Sequence, residues 1–270
     1  MLKDITFGQY VETRSPIHRA DPRAKILLLI LAIVFIFVCK NLFSLLFSVA
    51  FVFLIVMISR VPLKMYLKNL KAVLPIIIFT ALINMFYGEE TSTVLLSFWR
   101  LSITTDGLYK AFFMATRIIL LIIISSSLTY TTTPNDLTDA IENLLSPLKF
   151  LGLKSAVHTL ALMMTIALRF IPTLVEEAEK IMNAQKARGA DLESGSLKER
   201  IKALIPILIP LLISSVRRAY ELAEAMECRC YNGGEGKTRM KQLKFSSVDV
   251  YVSLITFVFC CGVIFLNIIL

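Results

Sequence analysis

The run LFSLLFSVAFVFLIVMI, Leu42 to Ile58, decides what kind of protein this is. It carries no charged side chain, and as a helix it is long enough to cross most of a hydrocarbon layer about 30 Å thick. Four more apolar blocks flank it: Ile26 to Cys39, Val73 to Tyr87, Leu108 to Tyr130 and Val248 to Leu270. Blocks one and three of the five are short and need extra turns from their neighbours. Asp249, at the edge of the last block, is the only Asp or Glu in any of them. The chain of 270 residues is 56% hydrophobic and 18% charged, less charge than a soluble domain carries. The first block follows a polar leader and lacks a small-residue cleavage site, so it is expected to be a permanent span.

Residues 131 to 246 differ from the rest, with sixteen Lys and Arg against thirteen Asp and Glu. The chain therefore reads as 1–130, an N-terminal segment with four spans; 131–246, a charged helical region; and 247–270, a final span. The expected fold is an all-α integral membrane protein. It has about five transmembrane helices plus three cytoplasmic or interfacial ones, two of them long and crossed. Lys and Arg mark cytoplasmic loops. With the N-terminus and the charged region in the cytoplasm, only Lys40, Arg100 and Lys110 of the 29 Lys and Arg fall outside, with Arg117 inside a span. The net charge of +9 is thus a topology signal plus attraction to anionic membrane lipid, and no nucleic-acid partner is expected. Arg117 either snorkels outward or packs against the central helices.

Catalytic motifs are missing. YNGGEGKT, Tyr231 to Thr238, ends like a phosphate-binding loop, but Tyr231 stands where that loop needs its first glycine. The stretch reads instead as a glycine-rich stop after a helix. Cys228 and Cys230 form a lone Cys-x-Cys pair without the further ligands of a closed zinc site. Cys39, Cys260 and Cys261 lie in apolar spans, and His18 and His158 are isolated. Neither a catalytic nor a metal site is expected.

Three helices are expected in the central region. The first starts at Thr133-Pro134 and stops at Ser146-Pro147. The second runs from Lys154 to Arg188, with Pro172 expected to bend it. The third runs from Ser196 to about Cys230. The absence of a clear 20-residue span suggests that they graze the membrane, with a further hairpin through the bilayer as the alternative. Ala219 and Ala223, one turn apart, offer a small face on which the long helices cross closely. The second and third helices end alike, in Ala187-Arg188-Gly189 and Cys228-Arg229-Cys230. One reading is local: a cation complements a helix C-terminus and Gly caps it. The other is that each arginine docks into an acidic groove of a partner, where a guanidinium binds a carboxylate bidentately.

These residues resemble the T component of energy-coupling factor (ECF) transporters, the EcfT/CbiQ family. That family carries two short Ala-Arg-Gly motifs at the tips of two crossed coupling helices. Ala187-Arg188-Gly189 matches the first, and Cys228-Arg229-Cys230 matches the second at its arginine. Its N-terminal signature is similar to GQYVETRSPIHRADPRAKILL, Gly8 to Leu28, which holds Ser15, Pro16, His18, Arg19, Asp21, Pro22 and Arg23. LRFIPTL, 168 to 174, and SSVRRAYELAEAME, 214 to 227, also look like the family.

The resemblance implies two ABC ATPases docked on the motif-bearing tips, with ATP and magnesium on those partners and no cofactor on this chain. It also implies one or several substrate-binding S components and uptake of a vitamin or a transition-metal ion across the bacterial cell membrane. The lack of a metal-ligand cluster leans toward a T component shared by several S components. Ser15-Pro16 and Asp21-Pro22 are turn chemistry and are read as structural. Cys230 in place of Gly is expected to move the helix stop to Asn232-Gly233-Gly234. The competing readings are a stand-alone secondary transporter, for which no buried acid or internal repeat is visible, and a membrane scaffold.

Overall fold

The computed structural model describes residues 10–13, 15–86, 94–98, 101–146, 154–190, 196–233 and 245–269. Gly234 to Thr238 of the glycine-rich stretch, and the cations Lys3, Arg14 and Arg100, lie outside these residues. The chain divides into two compact units, 8–137 with 243–270, and 1–7 with 138–242.

The first unit holds α1 (Pro16–Arg19), α2 (Pro22–Val38), α3 (Leu42–Ser59), α4 (Leu63–Phe86), α5 (Thr105–Thr131), the start of α6 (Pro134–Leu144) and, at the chain's end, α9 (Ser247–Ile269). A small antiparallel hairpin, β1 (Val94–Phe98) with β2 (Leu101–Thr104), lies between α4 and α5. Among the described residues the hairpin is the one departure from helix. Helix α5 packs against α2, α3 and α4, and α9 closes on α2 and α3.

The core between them is aromatic and aliphatic. Phe51 stacks on Phe259 with ring centroids 4.0 Å apart, over Ile36, Leu45, Leu120 and Val263. Lipid is as apolar as this core, so close packing rather than escape from water drives such contacts. Two glycines allow it. A Cβ on Gly107 would meet the Met85 carbonyl, and one on Gly262 would meet the Phe47 ring. The outer faces are apolar too: Phe37, Phe79, Phe257 and Phe265 are all more than half exposed. A bilayer solvates such faces, and this is an all-α integral membrane protein.

Among the described residues, five helices are long and apolar enough to cross a membrane: α3, α4, α5, α9 and the stretch Ala156–Ala187. The last belongs to the second unit, where the sequence suggested an interfacial helix. Helix α2, with 17 residues, is at the short end of the range that spans a bilayer. Helix α4 starts ten residues before its apolar block, which supplies the extra turns that block needed.

Arg117 is engaged within its own unit. Its Nη2 donates to the Cys39 carbonyl at 2.6 Å, and its guanidinium lies 4.9 Å from the Phe113 ring centroid. Cys39 follows the last turn of α2, where carbonyls lack intrahelical partners. In an apolar medium an unmet carbonyl is costly, and the arginine meets this one.

The second unit is built on two long helices, α7 (Lys154–Ala187) and α8 (Leu197–Cys228). Helix α8 starts in a capping box, with Ser196 N–H donating to Glu199 at 2.9 Å. The helices pack on each other in opposite senses. Glu177 of α7 accepts from Arg218 Nη2 at 2.8 Å and from the Ser214 hydroxyl, while further along α7 Gln185 donates to the Pro206 carbonyl at 3.5 Å. That carbonyl is free because Pro210, four residues on, has no N–H.

The Arg218 pair sets the rotation of α8. Its less exposed stripe is Ala203, Ile207, Leu211, Ser214, Arg218 and Leu222. Ala219 and Ala223 sit about 100° round the helix from Arg218 and Leu222 and are exposed, so they are not the packing face the sequence suggested. Pro172 lies inside an unbroken α7 and is exposed as well.

Candidate functional site

Two sets of residues stand out, the tips of α7 and α8 and the turn that joins α1 to α2. At the first tip the helix ends at Ala187 and Arg188 is the C-cap. Gly189 takes the left-handed conformation at φ +85°. Gly189 N–H donates to the Lys186 carbonyl and Ala190 N–H to the Gln185 carbonyl, both at 3.0 Å. This is the Schellman pattern, in which the two residues after the cap bond back across it.

The second tip repeats it. Helix α8 ends at Cys228 and Arg229 is the C-cap. Cys230 N–H donates to the Glu227 carbonyl at 2.8 Å, and Tyr231 N–H to the Met226 carbonyl at 3.0 Å. Cys230 itself is left-handed, with φ +54°. The stop therefore does not move to Asn232-Gly233-Gly234 as expected. Both back-bonds of the motif form at Cys230 and Tyr231, which offsets the roughly 1–2 kcal/mol that a side chain costs in this conformation.

Arg188 and Arg229 thus hold one position in one motif. Ala187, Arg188, Gly189, Cys228, Arg229 and Cys230 are all exposed. Among the described residues neither guanidinium has a hydrogen-bond or ion-pair partner. From the Glu177–Arg218 contact, α7 runs eleven residues one way and α8 eleven the other, which at 1.5 Å per residue puts the arginines roughly 30–35 Å apart.

The turn between α1 and α2 is the opposite case. Ser15 and Asp21 are the N-caps of α1 and α2, each followed by proline at the first helical position, where a missing N–H costs nothing. His18 Nε2 donates to the Val11 carbonyl at 2.9 Å, so its Nδ1 accepts from the Ser15 hydroxyl at 2.7 Å in the neutral ring. Burial holds the His18 pKa below its ordinary value, reinforced by the Lys25 charge and opposed by the carbonyls of Val11 and Tyr130.

Asp21 accepts from Arg23 N–H at 2.9 Å, and Arg23 Nε stands 3.9 Å from the same carboxylate. Pro22 is buried, while Pro16 and Arg19 are exposed. Two residues outside the expected set complete the cluster. Buried Lys25 donates to the Thr131 carbonyl at 3.0 Å and to the Thr132 hydroxyl at 3.3 Å. Buried Asp249 accepts from Asp21 N–H and from Ser246 N–H, both at 2.6 Å. It therefore caps α9 and pins it to the start of α2. Its one sequence signal was an acid at the edge of an apolar block.

No group of three or more His, Cys, Asp or Glu is placed to hold a metal ion among the described residues. The sequence profile of the CbiQ family, described as cobalt transport protein, matches residues 13–240, a stretch that includes both tips. The energy-coupling factor transporter transmembrane protein EcfT of Ruminiclostridium cellulolyticum is 53% identical over 99% of this chain and 98% of its own. The chain belongs to the EcfT/CbiQ family. The EcfT proteins of Clostridium kluyveri and Bacillus subtilis are 49% and 43% identical, over 97% and 94% of this chain and 96% of each relative. This EcfT/CbiQ member is a multi-pass membrane protein and a transmembrane component of an energy-coupling factor transporter.

Proposed function

We propose that this chain is the coupling subunit of an ECF-type importer. It joins two ABC ATPases to a separate substrate-binding S component and passes ATPase movement to it. Arg188 and Arg229 each enter an acidic groove of one ATPase. ATP and magnesium are held by those partners, and this chain performs no catalysis. The N-terminus and the α7–α8 unit face the cytoplasm, and the cargo is a vitamin or a transition-metal ion.

The observation that carries this reading is the repeated tip: two exposed arginines, without a partner among the described residues, at the same cap position of the same motif, at opposite ends of a braced helix pair. Two separated tips suit two ATPase subunits. The Glu177–Arg218 pair ties α7 to α8 midway between the tips, a point through which displacement at one tip can pass to the other helix. The lone binding of ligand by a stand-alone carrier would need no such pair.

The test is co-purification from mild detergent, comparing the wild type with Arg188→Glu/Arg229→Glu. ATPases that travel with the wild type and leave the double variant support coupling, and a co-eluting small membrane protein identifies the cargo. A double variant that still carries both ATPases and supports normal uptake refutes it. A wild type that transports alone favours the carrier.

A further inference from the structure

An apolar groove runs along the first unit between α3, α4 and α5, with a cavity of about 310 Å³. That is the lower end of the roughly 300–1,000 Å³ typical of ligand pockets. Its floor is buried, formed by Val52, Val56, Tyr66 and Leu120, while Phe53 and Leu67 stand exposed along its sides. The α3 residues that line it, Val49 to Val56, extend about 10 Å along the helix.

The charge beside the groove is all of one sign. Arg60 ends α3 and Lys64, Lys68 and Lys71 follow on α4, all exposed. The first turn of α4 has no acidic residue, and among the described residues none of these four cations is in an ion pair. A helix N-terminus carries partial positive charge and favours anions. Here three lysines crowd that end with no carboxylate to offset them. Leu63, Leu67 and Leu70, which line the groove, alternate with Lys64, Lys68 and Lys71 on the same turns.

We propose that this groove binds an anionic phospholipid, one acyl chain lying over Val52, Val56 and Leu120 and the phosphate meeting Arg60 and Lys64 where α3 turns into α4, with Lys68 and Lys71 adding positive potential alongside. A polar partner chain would leave the floor unmatched, and a neutral lipid would leave the four cations unmatched. A molecule with an apolar tail and an anionic head satisfies both. The inference stands apart from the docking role of Arg188 and Arg229.

The test uses the full chain reconstituted in lipid vesicles, with Trp99→Phe and Leu67→Trp so that the sole tryptophan sits on the groove's side. Quenching by phosphatidylglycerol with brominated acyl chains is compared with quenching by brominated phosphatidylcholine. The anionic lipid is expected to quench at several-fold lower mole fraction, about fivefold for each lysine that engages the head group. Arg60→Gln/Lys64→Gln/Lys68→Gln/Lys71→Gln should bring the ratio to about one. A reporter at Phe257→Trp, on the outer face of α9, should show no preference and reports that the reconstituted protein is folded. Equal quenching at position 67 by both lipids, or a preference that survives loss of all four cations, overturns the proposal.

Discussion

The turn between α1 and α2 and the tips of α7 and α8 are both rich in charge, and they use it in opposite ways. At the turn, Asp21, Lys25 and Asp249 are buried, and each charge is engaged by the groups around it. At the tips, Arg188 and Arg229 are exposed and engage nothing in the described chain. Buried charge is tolerated only when paired and hydrogen-bonded, so the turn is structural cement. Exposed arginines that cap two identical helix ends are available to a partner. Changes at the turn should therefore alter stability and leave docking intact, and changes at the tips should do the reverse.

The largest expected effect is at the tips. Arg188→Ala or Arg229→Ala should weaken ATPase binding by about 2–5 kcal/mol, the usual cost of removing one partner of a buried charged pair at an interface. The melting temperature of the isolated chain should not move. Titration of purified ATPase against the chain in nanodiscs measures the first, and a thermal melt the second.

Asp249→Ala comes next. It removes the back-bond to the α9 N-cap amide, worth about 1 kcal/mol, and leaves Asp21 N–H buried without a partner, at about 1–3 kcal/mol more. A drop in stability of roughly 3 kcal/mol is expected in detergent unfolding, with unchanged ATPase affinity for the folded fraction. A tip-like loss of docking without loss of stability would break the contrast.

His18 gives a pH signature to the turn. Its pKa is held below the ordinary 6.5 by burial, so the folded chain prefers the neutral ring. That stability is present above pH 6.5 and is lost as pH falls through the lowered value, because the unfolded chain takes up the proton first. The melting temperature should fall on acidification below 6.5, and less steeply in His18→Gln.

The smallest effect separates the two tips from each other. Cys230→Gly should stabilise the α8 cap by about 1 kcal/mol, since glycine adopts positive φ without the Cβ penalty. Gly189→Ala should cost the α7 cap a similar amount; no other atom stands within 4 Å of the added methyl, so the cost is backbone strain alone. Hydrogen exchange at the Tyr231 and Ala190 amides reads both.

Much of this architecture was legible because helix ends in this chain are marked by strong local chemistry. Thr133-Pro134, Lys154 and Ser196 gave the starts of α6, α7 and α8 within a residue or so. What was not legible depends on rotation and on distant partners. Ala219 and Ala223 carry the right spacing for a crossing face, but the Glu177–Arg218 pair turns that face away. Asp249 finds its partner Asp21 228 residues away in the chain, and no local pattern announces such a contact. Lys64, Lys68 and Lys71 broke the hydropathy of α4 and hid its first ten residues. Cys230 looked unfit for a left-handed cap, yet the back-bonds of Tyr231 and Cys230 hold it there.

The claim that the two tips are equivalent docking points is tested most directly by counting. Mass measurement of the complex with saturating ATPase should give two ATPase subunits per chain for the wild type, one for Arg188→Glu or Arg229→Glu, and none for the double variant. Two subunits retained by the double variant, or both lost from one single variant while the other keeps two, would contradict it.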